Sequence, residues 1–147
     1  MKILLINGPN LNLLGTREPE IYGSVTLDEI VGRVGERART LNTEVLAFQS
    51  NHEGAIIDFV QAQSPGAEGI VINPGALTHY GLSLRDALAA CRLPIVEVHI
   101  SNVNARESFR RRSVTAEACS GVIAGLGWRG YLLALEAVVE LARDSKP

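Results

Sequence analysis

The chain has 147 residues, 46% of them hydrophobic, and a formal net charge of -2. That is enough apolar chain for a single domain with a real core over residues 1–147, and the near-neutral balance gives no electrostatic ground for binding nucleic acid or a membrane surface. No run approaches the roughly 20 apolar residues of a membrane span. One lysine and four apolar residues before Asn7 are too little for a secretory leader, so a cytoplasmic protein is expected.

Ile3-Leu4-Leu5-Ile6 is an apolar run cut off by Asn7-Gly8-Pro9-Asn10, the pattern of a strand buried on both faces. A segment without periodicity follows, carrying Asn10, Asn12, Arg17, Glu18 and Tyr22. Connections in α/β units usually run about 2–6 residues, so one several times longer is expected to be a binding loop or lid. Thr26-Leu-Asp-Glu29 has capping-box spacing, and Leu27, Ile30, Val31, Val34, Ala38 and Leu41 then recur at helical intervals up to Asn42. Thr43 to Gln49 reads as a second strand. Ser50-Asn-His-Glu53 offers another capping box, for a helix that carries Ile56, Ile57, Phe59 and Val60 and breaks at Ser64-Pro65-Gly66.

Gly69 to Asn73 is a third buried strand, stopped by Pro74-Gly75. Ser83-Leu-Arg-Asp86 opens a short helix with Leu84, Ala87, Leu88 and Cys91 on one face. Pro94 introduces a fourth strand, Ile95 to Ile100, and a polar, arginine-rich stretch runs from Ser101 to Glu117. Gly121 to Ala124 is a fifth strand and Gly130 to Arg143 a last helix. Five strands alternating with four helices predict an α/β fold: a parallel sheet in a three-layer sandwich with right-handed crossovers. For this size the flavodoxin-like order 2-1-3-4-5 is the simplest. Ligands in such sheets sit at the carboxyl ends of the strands, near the point where the order reverses. Asn7 to Asn10, Asn73, and His99 to Ser101 end three neighbouring strands and converge there.

Glu97 and His99 are two apart on one strand and so face the same side. A carboxylate inside a central strand is costly unless paired; Glu97 can orient His99 and keep it protonated. Arg17 beside Tyr22 favours a phenolate, which makes a general base of a group whose free pKa is about 10. Of Arg106, Arg110, Arg111 and Arg112, Arg110 is expected to grip a ligand carboxylate while the others face water. The only lysines are Lys2 and Lys146, so no internal lysine is available for a Schiff base. His52, His79 and His99 lie far apart without an HExxH or Cys/His cluster, so no metal site is expected. Cys91 and Cys119 read as free, buried thiols. Gly125-Leu-Gly127-Trp-Arg-Gly130 fits the dinucleotide fingerprint G-x-G-x-x-G, but no further strand follows to bring in its acidic residue, so it reads as a tight strand-to-helix turn.

The segments NGPNLNLLG (7–15), REPEIYG (17–23), NPGALTH (73–79), SLRDAL (83–88), EVHISN (97–102), RESFRRRS (106–113) and GVIAGLGWRGYLLAL (121–135) resemble type II 3-dehydroquinate dehydratase across nearly the whole chain. The resemblance implies a cofactor-free and metal-free hydro-lyase with a flavodoxin-like fold, converting 3-dehydroquinate to 3-dehydroshikimate in the shikimate pathway or in quinate breakdown. It makes Tyr22 the proton acceptor, His99 the proton donor to the leaving hydroxyl, and Arg17 the cation that stabilises the transition state. By the same resemblance, Asn10 is expected to hold a water on the enolate, and Asn73, His79, Ile100, Ser101 and Arg110 to bind substrate. Asp86 is expected to act from a neighbouring subunit, since the family assembles as a dodecamer of trimers. Leu77 departs from the tyrosine common in the family, beside the site rather than in it. Two other readings of the fold are a flavin or nucleotide binder, which purifies yellow, and a response-regulator-type module, which needs acids after the first strand where this chain has asparagines.

Overall fold

A computed structural model describes residues 1–16 and 18–147, with the backbone alone at position 22. Five strands, β1 (Lys2–Asn7), β2 (Glu44–Gln49), β3 (Gly69–Asn73), β4 (Ile95–His99) and β5 (Gly121–Ala124), form one all-parallel sheet ordered β2-β1-β3-β4-β5. This is the flavodoxin-like arrangement expected from the alternation of strand and helix patterns. Burial explains the composition of each strand. β3 and β4 are buried at every position, whereas the edge strands β2 and β5 are buried at none. A central parallel strand must be apolar on both sides, and an edge strand need not be.

Two apolar layers clasp the sheet. Ile3, Leu5, Val71, Val96 and Val98 pack against α2 (Leu27–Thr40) and α5 (Arg129–Asp144) through Ile30, Val34, Leu135 and Val138. Leu4, Ile6, Ile70, Ile72 and Ile95 pack on the other side against α3 (Glu53–Gln63) and α4 (Leu82–Cys91) through Ile56, Val60, Leu84 and Leu88. Leu77 belongs to this second layer. The period-2 alternation of β4 therefore sends Glu97 and His99 to the side of α3 and α4, with Ile95.

Local chemistry departs from expectation in three places. Thr26 does cap α2, accepting from the Glu29 amide at 3.2 Å. The second capping box does not form: His52 stands at the cap of α3 without a side-chain bond, and Ser50 Oγ accepts from the His52 amide at 3.0 Å instead. Glu53 turns away to accept from the Leu84 amide at 3.2 Å, covering one of the otherwise orphan donors that open α4. α4 accordingly begins at Leu82, with Gly81 as its cap, rather than at Ser83. The long first loop also contains a four-residue helix, α1 (Pro19–Tyr22), that the aperiodic sequence did not signal.

The turns that leave β1 and β3 interlock. The Gly8 amide donates to the Asn73 carbonyl at 2.8 Å. A Cβ on Gly8 would stand 2.3 Å from the Pro74 carbonyl oxygen, and one on Gly75, which has φ +59°, would stand 2.9 Å from that of Pro9. Gly8→Ala is therefore expected to force two backbones apart and to destabilise the fold by about 1–3 kcal/mol. A urea titration beside the parent protein measures this; an unchanged midpoint refutes the interlock.

Candidate active site

Because β1, β3 and β4 are neighbours in the sheet, their carboxyl ends open onto one rim, as doubly wound sheets require of a ligand site. A cleft of about 100 Å³ lies there, lined by Pro9, Asn10 and Leu11 after β1, by Asn73, Gly75, Ala76 and His79 at and after β3, and by His99, Ile100, Ser101, Val103, Arg106 and Arg110 at and after β4. Asn10 enters this wall from a left-handed conformation, φ 69°, with its amide donating to Asn51 Oδ1 at 3.0 Å.

His99 Nε2 lies 2.5 Å from Glu97 Oε1, and both groups are buried. Glu97 is charged beneath the sheet rim, and three hydroxyl donors make that tolerable. Thr78 and Ser113 donate to Oε1 at 2.6 and 3.1 Å, and Thr115 donates to Oε2 at 2.7 Å. The Thr78 and Thr115 hydroxyls are also in contact with each other, at 2.9 Å. Burial pushes the Glu97 carboxyl up, but the hydrogen bonds from His99, Thr78 and Thr115 with the imidazole charge outweigh it and leave the acid below its ordinary range. Cys119 shows the opposite balance: burial, then the Glu97 charge, pushes its thiol up to about 12. It is a protonated neighbour of Glu97 rather than a nucleophile.

A second buried network holds Asn73. Its Nδ2 donates to the Tyr131 hydroxyl at 2.9 Å, and its Oδ1 accepts from the Gly75 amide at 3.1 Å. Tyr131, on the first turn of α5, donates in turn to Asn7 Oδ1 at 2.7 Å. Burial raises the Tyr131 phenol, so it remains a donor. Asn7 and Asn73 are register partners across β1 and β3, so one phenol from α5 braces both strand ends. His79 Nδ1 donates to the Arg112 carbonyl at 2.7 Å, and the Val114 amide donates to the Thr78 carbonyl, also at 2.7 Å. The arginine-rich segment is thereby pinned to the turn after β3.

Arg110 is half-buried on the cleft wall, with its Nε on the Glu107 carboxylate and its guanidinium 4.8 Å from the centre of the Phe109 ring. Arg111 and Arg112 are exposed, as the sequence pattern implied. Arg106 is not: it lines the cleft and donates to Ser101 Oγ at 3.3 Å, which corrects the expectation that it faces water. A charge run does not reveal which member a turn will direct inward; here the short helical turns Val103–Ala105 and Ser108–Arg111 decide it. Asp86 is exposed on α4 and does not line the cleft of its own chain. The expectations for Arg17 and for the Tyr22 side chain lie outside the described residues. Leu77 is buried in the core and likewise does not line the cleft.

The glycine fingerprint does not face an open phosphate cradle. The Gly125 amide donates to the His99 carbonyl at 3.2 Å and the Gly127 amide to the Ile100 carbonyl at 3.0 Å, both glycines having positive φ. The motif ties the β5–α5 turn to the end of β4. Among the described residues, no group of three or more His, Cys, Asp or Glu is placed to hold a metal ion.

Sequence reasoning missed Thr78, Ser113 and Thr115 around Glu97, and Tyr131 with Asn7 behind Asn73. The hydroxyl residues lie in or next to motifs already singled out, at 73–79 and 106–113, and a buried carboxylate on β4 announces a need for donors. Tyr131 carries no such signal, because on an apolar helix face it reads as core.

A family model described as Dehydroquinase class II matches residues 1–139. The 3-dehydroquinate dehydratase of Roseiflexus castenholzii is 66% identical over 136 residues, covering 92% of this chain and 87% of that protein. That of Halothermothrix orenii is 57% identical over 142 residues, covering 97% and 96%. The crystal structure of a type II dehydroquinase from Butyrivibrio crossotus superposes with a TM-score of 0.92 at 53% identity, covering 94% of this chain and 97% of that one. With a parallel sheet in the order β2-β1-β3-β4-β5, a polar cleft where β1, β3 and β4 end, and a family match over almost its full length, this chain belongs to the class II dehydroquinases.

Proposed function

We propose that this chain eliminates water from 3-dehydroquinate by a trans elimination through an enolate, giving 3-dehydroshikimate. The observation that carries the reading is the Glu97–His99 pair, 2.5 Å apart, whose imidazole lines a cleft that also holds Asn10, Asn73 and Arg110. The 3-dehydroquinate dehydratases to which the chain is similar support the choice of substrate.

The chemistry needs a base, an acid, a stabilised oxyanion and an anion clamp. Tyr22, as a phenolate favoured by Arg17, takes the proton beside the ketone. The electrons pass to the carbonyl oxygen, and the resulting enolate is met by a water held by Asn10 and by the charge of Arg17. When the enolate collapses, the carbon–oxygen bond to the leaving hydroxyl breaks. His99 supplies the proton that makes the hydroxyl a water molecule, and the new double bond is conjugated with the ketone. Tyr22 must then lose its proton and His99 regain one before the next turnover. Asn73, His79, Ile100, Ser101 and Arg110 hold the polyhydroxy acid, with the arginine fork on its carboxylate.

No cofactor or metal is needed on this route. Nor is an imine: Lys2 begins β1, at the far end of that strand from the cleft, and Lys146 bonds there to Glu68, whose carboxylate also accepts from the Lys2 amide. The reading extends to the shikimate pathway, supplying chorismate and the aromatic amino acids, in the cytoplasm. It extends also to a dodecamer of trimers in which Asp86 reaches a neighbour's cleft; its exposure on α4, away from its own cleft, supports that role.

Adding 3-dehydroquinate to the purified protein is expected to produce the absorbance of a conjugated enone, and no rise would sink the proposal. Arg110→Ala is expected to raise KM about 10- to 100-fold with a smaller change in kcat, since a lost charged hydrogen bond is worth about 1.5–3 kcal/mol. Steady-state kinetics read this directly; an unchanged KM removes Arg110 from the clamp.

A further inference from the structure

We infer that Thr115 is a positioning residue for this reaction, fixing which oxygen of Glu97 faces His99 and keeping that carboxylate ionised. The inference rests on the proposed dehydratase reading, in which His99 is the acid. The two oxygens of Glu97 are not equivalent. Oε1 takes His99, Thr78 and Ser113, at 2.5, 2.6 and 3.1 Å. Oε2 takes the Thr115 hydroxyl at 2.7 Å, and beyond it only the Cys119 thiol, a weak donor at 3.8 Å, among the described residues. Thr115 is fully buried, so no bulk water is at hand to replace it. Remove that hydroxyl and the carboxylate loses the anchor that stops it turning about its own axis.

Thr115 also sits at the end of the segment that carries Arg106 and Arg110. Its neighbours tie that segment to the turn after β3, through the Val114 amide on Thr78 and the Arg112 carbonyl on His79. The position of the clamp and the charge on Glu97 therefore share one anchor. The titratable and charged groups around Glu97 are His99 on its own strand, His79 on the turn after β3, and Arg110 and Arg111, which line with Glu97 and His99 a hollow beside the cleft. Cys119 faces it from the approach to β5. Glu117, between Thr115 and Cys119, is already paired with Arg85 of α4.

A hydroxyl that donates to a carboxylate favours its charged form, so removing one raises the pH at which Glu97 takes a proton. Thr115→Val keeps the shape and deletes the donor. In the unliganded protein, carboxyl-carbon NMR is expected to show the Glu97 midpoint rising by about one unit. With substrate, the acid limb of kcat moves up in pH by a similar step, kcat at its plateau falls about tenfold, and KM stays within about twofold. Thr115→Ser restores both limb and midpoint. A merely structural threonine predicts lower thermal stability with titration and limb unmoved, and that result overturns the inference. Should the valine variant not fold, Ser113→Ala, which removes a weaker donor at the half-buried edge, must raise the midpoint by a smaller step; no rise overturns the inference equally. A wild-type protein inert towards 3-dehydroquinate sinks the dehydratase reading instead, and the NMR titration still decides whether Thr115 sets the charge on Glu97.

Discussion

His99→Ala is expected to lower kcat by about 10²- to 10⁴-fold, the usual worth of a positioned general acid. The ring stands at the end of β4 on the cleft wall, 8% exposed, with Nε2 taken by Glu97. That leaves Nδ1 as the nitrogen that faces a bound molecule. A carboxylate behind the imidazole fixes the ring's orientation, and a leaving hydroxide needs a proton to depart as water. The fold is expected to survive, because the backbone pairing of His99 with Ala124 does not depend on the ring. Kinetics beside circular dichroism check both halves. A folded variant that retains most of the parent rate removes His99 from the chemistry.

Tyr22→Phe is expected to cost as much, about 10²- to 10⁴-fold in kcat, while leaving KM nearly unchanged. Phenylalanine keeps the ring and deletes the one atom that can take a proton. The chain has three tyrosines. Tyr131 is wholly buried with its phenol pushed up by burial, so it serves as a donor and not as a base. Tyr80 is 64% exposed and does not line the cleft. Tyr22 remains, on the loop that leaves β1. Arg17 is close to it in sequence, and a guanidinium favours the phenolate. Single-turnover measurement of proton abstraction separates this effect from a slowed release step; near-normal abstraction in the phenylalanine variant overturns the assignment of the base.

Much of the arrangement is legible in the sequence. β3 and β4 are short runs opened by Gly or Pro and rich in Ile and Val on both faces, which suits a central parallel strand. Glu97 and His99 stood out because a period of two puts them on one side of a strand that should carry no charge. The capping box at Ser50 misled, because Glu53 had a better use 31 residues away, on an amide that only the packing of α3 against α4 brings near. Arg106 was misread for a related reason. In a run of four arginines no periodicity marks an inward member, and the short helical turns after β4 are set by contacts with Ser101 and with the turn after β3.

The succession of strands and helices, the polar groups at the strand ends and the pairing of Glu97 with His99 are all readable from the chain, since each follows from interactions between residues near in it. How those groups are supported emerges with the folded chain: Tyr131 reaches from α5 to Asn7 and Asn73, and Thr78, Ser113 and Thr115 arrive from two loops to meet one carboxylate. A buried polar group must find partners wherever the fold provides them. Their identity depends on which distant segments the sheet order makes adjacent, and local spacing carries no record of that.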